Sequence, residues 1–449
     1  MKWERGLTFD IGLFIVLFLA VMPNSRVQAF DKPMDWFPPA LLTYPLVIGE
    51  PLSVIPRYFG NQGIPDVIVF TSTGAPKTFF DLPAEDSAVR FYLLRGEPEG
   101  WGEPLFVGQL SIPNRQVISG IASPGVDLDS DGVLDVVAIL TVFRGSFAQL
   151  DLDETETYMV ILWGYPDYIG FEAKFMPLET GLIPPTSVVA GDFNSDGLVD
   201  LAFTDPQRLA LQVLYNLGGR RWSEPYHVGL ADGDNDCLPI PIGCVCGRFS
   251  GGKGQDLAVL AICAKGEKFR QMLAFLNLQD DQRWKRSPLF PLGPELFENI
   301  QDAFGALIVG DYDGDECNDL LFTAKLKLEG TPFMQRLNLM AIYMLPCPSW
   351  KKVDNPRLIS AMPSGHLIFV ENDLSFGWRI VSLRDEGSHI DVLHIFNDGR
   401  HLNAALSVPG YIAGAWVVAR GERREIIVVS SQDLQSGITL FNVITRRSR

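Results

Sequence analysis

The sequence predicts an all-β protein built from repeated four-stranded antiparallel units, and three observations carry that prediction. The 449-residue chain is 47% hydrophobic and only 20% charged, enough apolar material for a large core. Its 42 glycines and 31 prolines fall as breaks between short apolar runs, which suits many strands and few helices. One loop pattern also recurs. Asp127–Asp135 (DLDSDGVLD), Asp192–Asp200 (DFNSDGLVD) and Asp311–Asp319 (DYDGDECND) align without gaps, each between apolar runs. That context is strand, tight loop, strand.

Fainter copies at Arg57–Asp66, Gly247–Asp256, Arg384–Asp391 and Arg420–Glu425 lead into apolar runs but lack most of the acids. The closing positions are thus 66, 135, 200, 256, 319, 391 and 425, with the last interval the shortest. A four-stranded unit with its turns needs about 45–65 residues, which fits the other intervals. In the third unit the strands read as Val188–Gly191, Leu201–Thr204, Leu209–Tyr215 and Tyr226–Val228.

An isolated four-stranded sheet leaves its edges and faces uncovered, and radial arrangement around an axis buries the faces. The expected fold is therefore a single β-propeller domain over residues 30–449. Seven blades fit best, with six or eight left open. Separate β-sandwich domains would not repeat one loop at a regular pitch. The final stretch supplies three strands, Ile412–Ala419, Ile426–Ser430 and Ile438–Val443, so the lone segment Leu41–Ile48 is expected to add a fourth and close the ring.

The loops carry their own chemistry. Asp127, Asp129 and Asp131 alternate, so their carboxylates can converge where the backbone curls; Gly132 permits the turn and Asp135 closes the far side. Oxygen ligands at positions 1, 3, 5 and 9 suit calcium, which takes six to eight oxygens. Asp192, Asn194, Asp196 and Asp200 repeat the set with one neutral member. Asp311, Asp313, Asp315 and Asp319 repeat it with Glu316 in the glycine position. An EF-hand is excluded, because its last acid falls at position 12 and helices flank it. Asp, Asn and Gly also favour plain hairpin turns, but crowded carboxylates repel one another unless a cation sits among them. Two or three structural calcium sites are expected.

This pattern, Gly-Asp-x-[Asp/Asn]-x-Asp-Gly-x-x-Asp followed by an apolar strand, resembles the FG-GAP/VCBS repeat, which builds integrin α-subunit propellers and many secreted bacterial ones. The resemblance spans about residues 50–430, with strong motifs in three units and weak ones in four. It implies a calcium-binding extracellular propeller, often used for recognition.

At the N-terminus, Lys2 and Arg5 precede an apolar run from Ile11 to Met22, followed by Val27-Gln28-Ala29. The run is shorter than the ~20 residues needed to span a bilayer, so residues 1–29 read as a cleaved secretory signal, with an uncleaved anchor as the alternative. No later segment is long and apolar enough to span a membrane. An extracytoplasmic location follows. The net charge of −17 sets the chain against nucleic acid.

Six cysteines in an exported chain favour disulfides. Cys237, Cys244, Cys246 and Cys263 lie close enough to bridge within the fourth unit, and Cys317 with Cys347 would staple the fifth. Cys244 and Cys246 share a strand face and are not expected to bridge each other. Buried free thiols are the alternative, and the spacing lacks paired zinc elements.

Catalytic signals are poor: no GxSxG, HExxH, Walker A or dinucleotide fingerprint occurs. His389, His394 and His401 gather around Asp391, but the pattern reads first as a strand and its turns. Trp101, Trp163, Trp222, Trp284 and Trp350 recur late in successive units, which reads as packing between blades, with carbohydrate stacking by an exposed ring as the alternative. The long strand two–three connections, at Ser72–Ala88, Arg144–Thr157 and Lys325–Gln335, would lie opposite the acid loops, where binding residues usually sit. The expected function is a protein- or glycan-binding module with calcium as a staple. A polysaccharide lyase or hydrolase, or a subunit of an envelope assembly, is the alternative.

Overall fold

The computed structural model describes residues 50–443 except 59–64, 75–83, 145–154, 165–170, 327–338 and shorter loop segments. The signal segment, Leu41–Ile48 and most of the three long connections lie outside the described residues. Among the described residues there is no α-helix, and no helix long and apolar enough to cross a membrane.

Among the described residues, seven antiparallel sheets of three to five strands follow one another along the chain, each a meander of neighbouring strands, and Gly96–Glu97 pairs with Gly100–Trp101 in a separate two-stranded sheet. The first holds Glu50–Tyr58, Pro65–Thr73, Ala88–Leu94 and Leu105–Ser111; the second holds Arg115–Val126, Asp135–Arg144, Thr155–Gly164 and Phe171–Leu178. The third, Val188–Gly191, Asp200–Asp205, Ala210–Leu214 and Tyr226–Gly229, matches its expected strands within a residue or two. The fourth comprises Leu238–Gly247, Asp256–Lys265, Lys268–Leu278 and Trp284–Arg286, with Phe290–Pro291 added against its third strand. The fifth comprises Leu307–Gly310, Asp319–Leu326, Leu339–Leu345 and Arg357–Pro363; the sixth, Gly365–Asp373, Gly377–Arg384, His389–Ile395 and His401–Ser407. The seventh has three described strands, Tyr411–Arg420, Arg423–Gln432 and Gln435–Val443.

The second strand of each of the first five sheets starts at or beside the closing aspartate, and the register is shared. Arg57 pairs with Asp66, Val126 with Asp135, Gly191 with Asp200, Gly247 with Asp256 and Gly310 with Asp319. The sixth sheet corrects the sequence frame. Asp391 lies in its third strand, so the Arg384–Asp391 turn joins strands two and three rather than one and two. A short polar turn before an apolar strand looks alike at either end of a meander, which is why spacing alone misplaced it. Counting from Gly377, where the second strand does begin, removes most of the irregularity in the last interval.

The core is divided among the spaces between sheets. One cluster joins Phe70 and Phe91 of the first sheet to Val136 and Val160 of the second; another joins Ile139 and Trp163 of the second to Phe203 of the third. The series continues between sheets three and four, four and five, five and six, and six and seven. Central strands face a neighbour on both sides, so they read as unbroken apolar runs: Asp135–Phe143 and Asp200–Asp205 are wholly buried. Outer strands such as Leu105–Ser111 and Tyr226–Gly229 are largely exposed.

First strands touch first strands: those of sheets one and two, two and three, three and four, and four and five are in contact, as are those of six and seven. The first strand of sheet seven also touches that of sheet one. This is a β-propeller type of assembly, in which faces are buried sheet against sheet. Trp163 is buried in one such interface, and Trp222 and Trp284 pack against two of them, as expected of the recurring tryptophans. Trp350 lies outside the described residues.

Candidate metal-binding loops

Each of the three acid loops between strands one and two is organised by its own side chains. The carboxylate at position 1 accepts backbone N–H groups from later in the turn. Asp127 takes those of Asp131 and Gly132, Asp192 those of Asp196 and Gly197, and Asp311 those of Gly314 and Glu316. The position-5 carboxylate accepts the N–H of position 7: Val133 to Asp131 (2.8 Å), Leu198 to Asp196 (2.8 Å) and Cys317 to Asp315 (2.9 Å). Positions 4 and 6 are left-handed in all three loops, at Ser130 and Gly132, Ser195 and Gly197, and Gly314 and Glu316. Glu316 thus holds φ of +66° where the other loops have glycine, the strain its sequence position implied.

The closing aspartate has a role that spacing did not disclose. Asp135, Asp200, Asp256 and Asp319 are fully buried, and each ties its loop to the end of strand three. Asp135 accepts the Leu128 N–H on Oδ2 and the Gly164 N–H on Oδ1, both at 2.8 Å. Asp200 does the same with Phe193 (3.1 Å) and Asn216 (2.9 Å), and Asp319 with Tyr312 (2.8 Å) and Cys347 (3.0 Å). Asp256 binds the Phe249 N–H and the Asn277 side-chain amide. The loop poor in acids therefore keeps the same closing carboxylate. Burial pushes the Asp135 carboxyl up to about 7, with the Gly164 and Leu128 N–H groups opposing and Asp129 and Asp131 adding to the rise. Burial likewise lifts Asp200 to about 6. In the sixth sheet Asp391 is held by Arg384, Nε to Oδ2 at 2.6 Å and Nη2 to Oδ1 at 2.8 Å. That pairing commits the acid around which the histidines gather.

Position 2 is a plug. Leu128, Phe193, Phe249 and Tyr312 are buried, each in the cluster shared with the following sheet. Where the plug is a ring, the residue before position 1 is glycine. A Cβ on Gly247 would meet the Phe249 ring at 2.8 Å, and one on Gly310 the Tyr312 ring at 2.8 Å; on Gly191 it would meet the Phe193 ring at 3.0 Å and Gln255 Oε1 at 2.3 Å. In the second sheet the plug is leucine and the preceding residue is Val126. The Gly-Asp start of the motif is thus explained by ring clearance. The apolar residue between the acids was its visible signal.

The convergence of acids differs between loops. Single oxygens of Asp127, Asp129 and Asp135 lie within 4.8 Å of one another, as do those of Asp311, Asp313 and Asp315. In the Asp192 loop no such acid trio forms; the Asn194 amide donates to Asp196 Oδ2 at 2.9 Å. Asp129 Oδ1 is a buried oxygen with no hydrogen-bond partner, while its Oδ2 takes Arg220 Nε at 2.9 Å. A carboxylate oxygen has two lone pairs, so one accepting an N–H can still ligate a cation. Hard oxygens with one buried acceptor unused fit calcium at the second-sheet loop, with a more open set at the fifth.

The expected Cys317–Cys347 staple forms, tying the Asp311 loop to the end of strand three, and the bridge within the fourth unit, whose partners the sequence left open, joins Cys237 to Cys263. Cys244 and Cys246 are free thiols, the first buried, and burial raises the pKa of both.

No family model matches the chain, and no curated protein matches it. Among solved structures it is similar to Trypanosoma rangeli sialidase in complex with sialic acid, at 13% identity and a TM-score of 0.39 over 89% of this chain and 55% of that one. The chain therefore spans a little over half of that sialidase. BBS1N in complex with ARL6DN gives 7% identity and a TM-score of 0.44 over 92% and 97% of the two chains. The Neurospora crassa Pan2 WD40 domain gives 12% and 0.40 over 88% and 91%.

Proposed function

We propose that this protein is an exported, calcium-stapled binding module, a seven-bladed propeller of FG-GAP/VCBS type whose ligand is a protein or a glycan. The observation that carries the reading is the second-sheet loop, where oxygens of Asp127, Asp129 and Asp135 lie within 4.8 Å of one another and Asp129 Oδ1 is buried without a hydrogen-bond partner. Asp127, Asp129 and Asp135 would hold the ion there, and Asp311, Asp313 and Asp315 in the fifth sheet. The Asp192 loop is the weakest of the three, because Asn194 already occupies Asp196. Calcium would supply charge neutralisation and no chemistry. Leu41–Ile48 would pair with the three strands of the seventh sheet, and residues 1–29 would be removed on export. The two disulfides support an oxidising compartment.

Staples at one end of the sheets leave the strand two–three connections at the other end for recognition. A glycan array and a pull-down with calcium-loaded protein test this reading. It expects retention of an unmodified glycan or a protein partner, with binding reduced in chelator. Release of cleaved product from a polysaccharide would replace it with the enzyme alternative.

A further inference from the structure

Arg220 lies in the turn between strands three and four of the third sheet, yet its side chain serves the loop of the second. Gly218, Gly219 and Arg220 are all left-handed, at φ of 72°, 61° and 61°. A non-glycine residue is disfavoured in that region, so the turn retains Arg220 against its backbone preference. Its guanidinium donates to Asp129 Oδ2 at 2.9 Å and stacks over the Trp163 ring, 4.9 Å from the centroid. Lys174 of the second sheet donates to the Arg220 carbonyl at 3.2 Å, and Asn216, beside the turn, donates to the Leu128 carbonyl at 2.6 Å. The third-sheet turn is therefore joined to the second-sheet loop at Leu128 and Asp129, and to the fourth strand of the second sheet at Lys174.

We propose that Arg220 is a positioning residue for the second-sheet cation site: seated over Trp163, its guanidinium holds Asp129 Oδ2 and so directs Oδ1 toward Asp127 and Asp135. This rests on the calcium reading above. A guanidinium near a cation site could act in two opposite ways. As a competitor it would weaken binding, and its removal would tighten it. As an orienting partner it lowers the cost of gathering the carboxylates, and its removal weakens binding. The geometry points to the second, because Arg220 occupies one oxygen and leaves the buried one unused. Outer-sphere partners of this kind change metal affinity about 10–100-fold.

The test uses the full chain with Asp311→Asn to weaken the fifth-sheet site. Terbium, bound in calcium's place, is followed by luminescence excited through tryptophan, with Trp163 one guanidinium away from Asp129. Calcium is then titrated back in competition. Arg220→Ala should weaken both ions at this site about tenfold or more, and Arg220→Lys should weaken them too, because an ammonium keeps the charge but not the planar, stacked Nε donor. Circular dichroism and melting in chelator establish that each variant folds, and Lys174→Ala controls for loosening of the turn. Tighter binding by Arg220→Ala, or unchanged binding, overturns the positioning role while leaving the calcium reading in place. Absence of binding by the parent protein overturns both.

Discussion

The Gly164 N–H donates to Asp135 Oδ1 across 2.8 Å, joining the end of strand three to the start of strand two, while Oδ2 of the same carboxylate holds the loop through Leu128. Neither group reaches water, since Asp135 is wholly buried. Asp135→Ala strands two donors at once, at ~1–3 kcal/mol each, so urea unfolding should show a loss of about 3–5 kcal/mol. A loss under about 1 kcal/mol would mean that the carboxylate is not a structural bolt.

The raised carboxyl pKa values give a pH signature. A carboxyl lifted from 3.8 to about 7, as Asp135 is, favours the fold while protonated. That contribution is complete below about 4 and is lost as pH rises through about 7. Asp200 behaves likewise up to about 6. In chelator, wild-type stability relative to Asp135→Asn should therefore fall between pH 4 and 7. Calcium should flatten the slope, because a bound cation favours the ionised form. A difference that is constant across this window would contradict the assignment.

Glu316 holds a left-handed backbone where Gly132 and Gly197 serve the sister loops. Glu316→Gly relieves the side-chain penalty at the expense of unfolded-state entropy, for a net gain of about 0.5–1 kcal/mol. Chemical denaturation in saturating calcium reads the change, and a destabilised variant would show that the Glu316 side chain is needed.

The disulfides make a covalent prediction. Denatured, unreduced protein should expose two titratable thiols, Cys244 and Cys246. Loops of 26 and 30 residues are closed by the two bridges. Removing Cys317–Cys347 by paired serine substitution should cost about 3–4 kcal/mol by the chain-entropy relation. Six reactive thiols in exported protein would overturn the pairing.

Much of this architecture was legible in the sequence because it rests on local signals. The Asp192 loop lies between two apolar runs, and the strands it announces fall where the structure has them. The last three strands, and the reading that Cys244 and Cys246 would not bridge each other, came from the same period-two logic. What escaped was non-local. Asp391 looked like the other closing residues because a turn carries no mark of which end of a sheet it occupies. Asn194 looked like one more ligand, whereas its amide also donates to Asp196. The bonds from Asp135 to Gly164 and from Arg220 to Asp129 join residues 29 and 91 positions apart, beyond any spacing rule.

The central claim is that acid loops repeated around the sheets hold calcium as structural staples. Calorimetric titration of metal-stripped protein, paired with melting in chelator, addresses it most directly. Extracellular modules bind calcium with dissociation constants of about 10⁻⁴–10⁻³ M, and at a hundredfold excess each site adds ~2.7 kcal/mol. The account predicts at least two ions bound and a melting temperature lowered by chelator, with part of the response lost in Asp129→Ala. Fewer than two ions, or the same melting curve with and without chelator, would contradict it.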